Sequence, residues 1–237
     1  MSDAIVASIA RQSGLLRELS VVANNIANAS TTGFKRDAAV FAEFVSRRAG
    51  EPSMSIGSLR GHVLDAAQGG MTRTDGKLDL AIEGDGYFAI GQGDEVLLSR
   101  AGKFTLDAQR VLVQADGFPV LDEAGGEITV PEEASVIAIS QRGVMSADGF
   151  EIATIGILQA EPGSLSRLGG SLYRATGAVR FVDEPSVRQG FLEGSNVSPV
   201  IEMARLIEAQ RLYEAGAALQ TDEHERITQM IEALGRS

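Results

Sequence analysis

A chain of 237 residues with 44% hydrophobic and 22% charged side chains can bury a core, so wholesale disorder is excluded. Its 21 Lys and Arg stand against 32 Asp and Glu, and the net charge of -11 has the wrong sign for a duplex nucleic-acid binder or an anionic membrane surface. With 0 Cys and 2 His, disulfides, thiolate nucleophiles, zinc knuckles and iron–sulfur ligation are all removed.

The chain starts Met1-Ser2-Asp3-Ala4-Ile5-Val6, without a basic stretch, and Arg11, Arg17 and Glu18 interrupt the apolar residues that follow. A cleaved secretory signal is therefore not expected. No apolar run reaches the roughly 18 residues of a membrane span, so none is expected. Ile5, Ile9, Gln12, Leu16, Leu19, Ala23 and Ile26 follow one another at spacings of four and three, which predicts a helix with a heptad-like seam. Leu15 and Val22 widen its apolar stripe. Asn24, Asn25, Asn28, Ser30, Thr31, Thr32 and Gly33 then supply stop and turn chemistry, with Gly33 suited to a left-handed turn.

Residues 46–71 carry Gly, Ser and Pro with weak periodicity and read as an extended connector. Beyond them the period changes. Leu78, Leu80 and Ile82 alternate with Asp79, Ala81 and Glu83 as in a strand. Further β-type runs occur at Tyr87–Ile90, Val96–Ser99, Arg110–Gln114, Ser135–Ser140 and Ile152–Leu158. The pairs Asp75-Gly76, Asp85-Gly86, Asp116-Gly117 and Asp148-Gly149 punctuate them as tight-turn candidates. Together these features predict an all-β module over residues 72–190.

At the far end Ser198 suits an N-cap and Pro199 the first helical position, where a missing N–H costs nothing. Met203, Leu206, Gln210, Tyr213, Ala217, Gln220, His224, Ile227, Ile231 and Leu234 then alternate spacings of three and four, which predicts a long helix that packs lengthwise. The charge is divided unevenly: residues 1–48 carry a net of +2, residues 196–237 a net of -3, and the middle the remaining -10. The expected class is mixed α and β, an all-β central domain inserted between two amphipathic helices. Two helices alone leave much of each stripe in water, so the ends are expected to order fully only when many copies pack.

No catalytic constellation emerges. Glu132-Glu133 and Asp183-Glu184 lie in predicted loops without partners, and charge clusters of that kind stay solvated. Gly84-Asp85-Gly86 and Gly91-Gln92-Gly93 lack the third glycine and the following helix of a dinucleotide loop. There is no nucleophile elbow and no phosphate loop. Asp75 and Asp79 are too sparse for a calcium loop. No catalytic residue, cofactor or metal ligand is therefore assigned. His224 and the seam glutamines read as polar positions in a helix interface, and a buried His224 would loosen that interface in acid.

Particular strings carry a resemblance. Val21-Val22-Ala23-Asn24-Asn25-Ile26-Ala27-Asn28-Ala29-Ser30-Thr31-Thr32-Gly33-Phe34-Lys35-Arg36 resembles the N-terminal motif of bacterial flagellar rod and hook proteins. Gly190-Phe191-Leu192-Glu193-Gly194-Ser195-Asn196-Val197-Ser198-Pro199-Val200, leading into Glu202-Met203 and Gln210-Arg211-Leu212-Tyr213-Glu214, resembles the C-terminal one. Leu80-Ala81-Ile82-Glu83-Gly84-Asp85-Gly86-Tyr87-Phe88 resembles the start of the middle domain in longer members. The short stretch from Ala49 to Gly70 is closer to the proximal-rod than to the distal-rod type. Gly216-Ala217-Ala218 departs from relatives, which often carry longer or polar side chains there.

The resemblance implies a structural rod subunit that transmits torque, with no enzymatic activity. It implies export by the flagellar type III apparatus without a cleaved signal, residence in the periplasmic rod, and partners that are other rod proteins and copies of itself. Its terminal helices would pair in a coiled-coil-like layer. The division expected is a 1–33 assembly helix, a 34–71 arm, a 72–190 central β domain and a 191–237 assembly helix. The expected assembly interface comprises Ile5, Ile9, Leu16, Leu19, Asn24, Asn25, Ile26, Asn28, Gly33 and Phe34, with Met203, Leu206, Gln210, Tyr213, Ala217, Ile227, Ile231 and Leu234. The three asparagines are expected to hydrogen-bond between subunits or to hold the turn. A secreted adhesin or carbohydrate-binding β module with helical oligomerisation ends is the rival class. It accounts for the acidic middle but not for the paired terminal motifs. A peptidoglycan hydrolase would need an acid, base and nucleophile set that the chain lacks.

Overall fold

The computed structural model describes residues 2–46, 54–161 and 163–234, and the chain divides into two compact units. The first comprises Met1–Ala27, Asp37–Val63 and Ser198–Ser237; the second comprises Asn28–Arg36 and Leu64–Val197.

The first unit contains helix α1 (Ser2–Ala27), helix α2 (Pro199–Leu234) and a two-stranded sheet of Asp37–Ser46 with Met54–Leu64. The long strand Met54–Leu64 lies within the stretch read from sequence as a connector. Helix α2 starts where Ser198 and Pro199 predict, with the Glu202 N–H donating to the Ser198 carbonyl at 3.0 Å. The two helices pack on one another, and the Gln220 Nε2 donates to Ser8 Oγ at 2.9 Å across the pair.

The inward stripe of each helix is rotated from the predicted seam. On α1, Leu15, Val22 and Asn25 are buried, Gln12, Leu19 and Ile26 are half-buried, and Ile9, Leu16 and Ala23 are exposed. On α2, Glu202 and Ala209 are buried and Leu206, Tyr213, Gly216, Ala217 and Gln220 half-buried, whereas Met203, Gln210 and His224 are exposed. The spacing 202-206-209-213-216-220 is as heptad-like as the predicted one. Successive residues on a helix are turned about 100° apart, so two interleaved apolar stripes satisfy the same period. Periodicity counts repeats but does not choose between the stripes. His224, read from sequence as an interface position, is exposed on α2 within the subunit. The side chains of Ile5, Ile227 and Ile231 lie outside the described residues.

The second unit is built on a six-stranded sheet in the order Leu165–Gly169, Leu172–Ala175, Glu95–Ser99, Tyr87–Gln92, Ile157–Ala160, Val179–Phe181. Its central strands are buried on both faces. Phe88, Ile90 and Leu97 point into the main core, while Tyr87, Ala89 and Leu98 enter a second cluster with Tyr173. Phe88 meets Phe104 edge to face at 5.1 Å, and Tyr87 meets Tyr173 at 5.9 Å. A three-stranded sheet is made by Phe150–Thr154, Val144–Ala147 and Ile137–Ile139.

The predicted run Ile152–Leu158 is two strands in two different sheets, broken at Ile155-Gly156. A Cβ on Gly156 would lie 2.8 Å from the Asp122 carbonyl oxygen, so the chain passes too close to a neighbouring backbone there for any side chain. Of the four Asp-Gly pairs, Asp148-Gly149 is the two-residue hairpin with both φ angles positive, at 50° and 89°. Two antiparallel pairs join the start of this unit to its end: Met71–Arg73 with Phe191–Glu193, and Leu80–Ile82 with Val187–Gln189.

Candidate functional site

Within the second unit the N- and C-terminal motif strings are clasped together. The Gly33 N–H donates to the Glu193 carbonyl at 2.8 Å, and the Asn196 N–H to the Phe34 carbonyl at 3.3 Å. The Asn196 side chain accepts from the Arg36 N–H at 2.7 Å and donates to the carbonyls of Asp65 and Ala67. Gly33 has φ 68°, the left-handed turn its position predicts, and a Cβ there would sit 2.2 Å from the Ala101 nitrogen. Phe34 is fully enclosed, with the Arg167 guanidinium stacked on its ring at 4.1 Å. Arg167 also donates to the Lys35 carbonyl, and the Lys35 N–H donates to the Tyr173 hydroxyl at 3.0 Å.

The centre of the clasp is ionic. Lys35 and Glu193 are both 0% exposed and Arg100 is 3% exposed. Glu193 accepts from Lys35 Nζ at 2.7 Å, from the Gly69 N–H at 2.9 Å and from Arg100 Nη1 at 3.1 Å. Lys35 Nζ donates further to the carbonyls of Ala67 at 2.7 Å and Ala66 at 3.5 Å. Burial pushes the Lys35 ammonium below its ordinary range, and the Glu193 carboxylate works against that shift. Such a group holds only while its partners are complete, because an uncompensated buried charge costs several kcal/mol.

In the first unit a second polar node involves Asn25. Its side-chain amide pairs with the Asp37 backbone, donating to the carbonyl at 2.8 Å and accepting from the N–H at 3.0 Å. Asn25 Nδ2 also donates to Glu202 Oε2 at 3.1 Å, and Glu202 Oε1 accepts from Arg205 at 2.9 Å. These bonds fix which face of α1 turns inward. Glu18 faces a like charge: burial raises its carboxyl above the ordinary glutamate value, and the Glu208 carboxylate raises it further.

The predicted interface residues therefore separate. Asn25, Gly33 and Phe34 are consumed inside the subunit, and Asn28 accepts from the Thr31 hydroxyl in the turn. Leu19, Ile26, Leu206, Tyr213 and Ala217 are half-buried. Ile9, at 56% exposure, and Leu16, at 49%, are exposed to solvent, as are Asn24, Met203, Gln210 and Leu234 by surface area. Ile207, Leu212 and Leu219 extend the exposed apolar surface of α2. Glu193, Asn196, Arg100, Tyr173 and Glu202 were not singled out from sequence. Glu193 and Asn196 lie in the quoted C-terminal string and were findable there; nothing local distinguishes Arg100. Among the described residues no group of three or more His, Asp or Glu is placed to hold a metal, and no helix is long and apolar enough to cross a membrane.

Comparison with known proteins follows the same three regions. Residues 8–35 match the family described as "Flagella basal body rod protein", 81–147 the "Flagellar hook protein FlgE/F/G D1 domain", and 188–232 the "Flagellar basal body rod FlgEFG protein C-terminal". The chain is 35% identical over 243 residues to the flagellar basal-body rod protein FlgF of Caulobacter vibrioides, covering 100% of this chain and 99% of that protein. The chain belongs to the flagellar basal-body rod protein family. It is a structural rod subunit, and the adhesin-like alternative is not supported. FlgF of Mesorhizobium japonicum is 32% identical with 99% of each chain covered, and FlgG of Bacillus subtilis is 32% identical with 98% of each covered. Both clasp partners, Lys35 and Glu193, fall within the matched rod-family terminal segments.

Proposed function

We propose that this rod protein is of the proximal, FlgF type, and that it transmits torque through side-by-side packing of α1 and α2 with copies of itself and other rod proteins. The observation that carries this reading is the apolar surface left open on two long helices: Ile9 and Leu16 on α1, Met203, Ile207, Leu212 and Leu219 on α2. At about 25 cal/mol per Å² of apolar area, repeated burial of such stripes stabilises an array that one subunit could not form. Contacts between unlike surfaces that do not close a ring extend into a helical shaft. In that shaft the helices form a coiled-coil-like layer. Residues 1–33 and 191–237 act as assembly segments, 34–71 as an arm toward neighbours, and 72–190 as the outer domain. Ile5, Ile227 and Ile231 belong to the same interface.

The short stretch before Gly70 and the full-length identity to FlgF of two organisms favour the proximal type. Passage through the type III export apparatus without a cleaved signal, and residence in the periplasmic rod, belong to this reading. No bond is made or broken. The test is localisation of the tagged full-length chain in isolated basal bodies by electron microscopy. Label at the motor-proximal end of the rod is expected; label at the hook-proximal end would assign the distal type instead.

A further inference from the structure

The Asp-Gly pairs at residues 75, 85, 116 and 148 are turns in the fold, and each is also a place where the backbone can react. Glycine carries no side chain to shield its nitrogen, so that nitrogen can close a five-membered ring on the preceding aspartate. The Cγ–N bond forms, and the protonated carboxyl gives up its hydroxyl, which leaves as water with the amide proton. A second water then opens the ring. Opening at the main-chain carbonyl routes the backbone through Cγ, which leaves an isoaspartate and one extra methylene in the chain. Ring closure needs two groups unencumbered, the carboxyl and the next N–H.

Three of the pairs are held. The Asp148 carboxylate accepts from the Val136 N–H at 2.9 Å and the Ser135 N–H at 3.2 Å. The Asp75 carboxylate accepts from Arg73 Nε at 2.7 Å, and the Gly76 N–H donates to Thr74 Oγ1 at 3.3 Å. At Asp116 the Gly117 N–H donates to the Gln114 carbonyl at 2.9 Å and closes the turn. Asp85 differs. It is exposed, and among the described residues neither its carboxylate nor the Gly86 N–H has a hydrogen-bond partner. A cavity of about 160 Å³ lies against Asp85 and Gly86, roomy enough to bring water to the ring. Giving up one hydrogen bond before ring closure slows it by about tenfold, so the held pairs fall behind.

The product would not be silent. The chain is pinned on both sides of this turn, by the Glu83 N–H on the Ser186 carbonyl at 2.7 Å and by the pairing of Tyr87 with Leu158. Between these points the Gly84 carbonyl accepts Arg100 Nη2 at 2.6 Å, and the Gly84 N–H donates to Gln68 Oε1 at 3.2 Å. A methylene inserted at residue 85 has no slack to enter and displaces that carbonyl. We propose that Asp85 is the site at which this protein isomerises to isoaspartate, and that the product loosens the hold of Gly84 on Arg100 in the ionic clasp. The reaction depends neither on the rod type nor on the helix packing proposed above.

The test is prolonged incubation of the full-length protein at neutral pH, followed by peptide mapping with fragmentation that distinguishes isoaspartate from aspartate at all four pairs. Isoaspartate should accumulate at residue 85 at least about tenfold faster than at residues 75, 116 or 148. In the urea-unfolded chain, where nothing is held, the four rates should converge. Asp85→Glu should abolish the modification, because the longer side chain would have to close a slower six-membered ring. Its urea midpoint should stay constant on incubation while that of the wild type falls as isoaspartate accumulates. Asp85→Ser serves the same purpose should the first variant misfold. A rate at residue 85 no greater than at the other pairs in the folded protein, or an excess that persists in urea, would overturn the assignment. A midpoint unchanged after conversion at residue 85 would overturn the link to Arg100.

Discussion

The ionic clasp and the outer faces of the two helices use opposite chemistry. The ionic centre of the clasp is buried, and among the described residues only its Arg100 Nε–H lacks a partner; the helix faces are apolar, periodic and open to solvent. The motif strings that carry the family resemblance contribute Phe34, Lys35, Glu193 and Asn196 to the clasp, so they serve first to fold the subunit. The apolar side chains that stay exposed on the helices belong to the less distinctive part of the sequence. Buried ionic groups specify one arrangement because any other leaves a charge unpaired, whereas apolar stripes tolerate sliding and many partners.

The largest expected effect breaks the clasp. Glu193→Ala leaves two buried cations facing each other and should cost about 3–5 kcal/mol, read as a lowered urea midpoint at unchanged slope. An unchanged midpoint would mean that the clasp is ornamental to the fold. Asn25→Ala tests the corresponding node in the helix unit. It removes a donor from the buried Glu202 and both bonds to the Asp37 backbone, for an expected loss of about 1–3 kcal/mol by the same measurement.

The elements on either side of this contrast were legible in the sequence, but neither the buried ionic group nor the choice of which helix faces stay exposed. The start of α2, the Gly33 turn and the Asp148-Gly149 hairpin follow from local chemistry, since caps and left-handed turns are decided by the residues that form them. The rotation of α1 was not legible. Leu15 and Leu16 are equal in hydrophobicity, and the choice between them is made by Asn25 reaching Glu202, 177 residues away. The break at Gly156 likewise depends on the backbone of Leu121 and Asp122, which no local pattern announces. The same holds for Arg100, whose role exists only where two ends of the chain return to each other.

A smaller effect concerns charge between the helices. The Glu18 carboxyl is raised by burial and by Glu208, so the native state holds its proton at higher pH than the unfolded chain does. The native state thus binds more protons in the window just above 4.5, and this contribution to stability falls as pH rises through it. The penalty is complete at neutral pH and vanishes below the unfolded value. Glu18→Gln should therefore flatten the stability profile over that window and stabilise the helix unit at neutral pH. An identical profile in wild type and variant would show that the two carboxylates do not interact.

The smallest effect has the opposite sign from most substitutions. A Cβ on Gly216 would meet the Gln12 side chain at 3.6 Å, an ordinary contact, so Gly216→Ala should stabilise by about 0.5–1 kcal/mol through helix propensity alone. A loss of stability in thermal unfolding would mean that the helices pack more tightly at this turn than that distance allows.

The separation of the two chemistries is tested most directly by the double variant Ile9→Asp, Leu16→Asp, assayed for both subunit stability and incorporation into rods. Both side chains are exposed in the subunit, so the unfolding free energy from urea titration should stay within about 0.5 kcal/mol of wild type while rod incorporation and motility are lost. Normal incorporation of a stably folded double variant would contradict the assignment of the open helix faces to assembly.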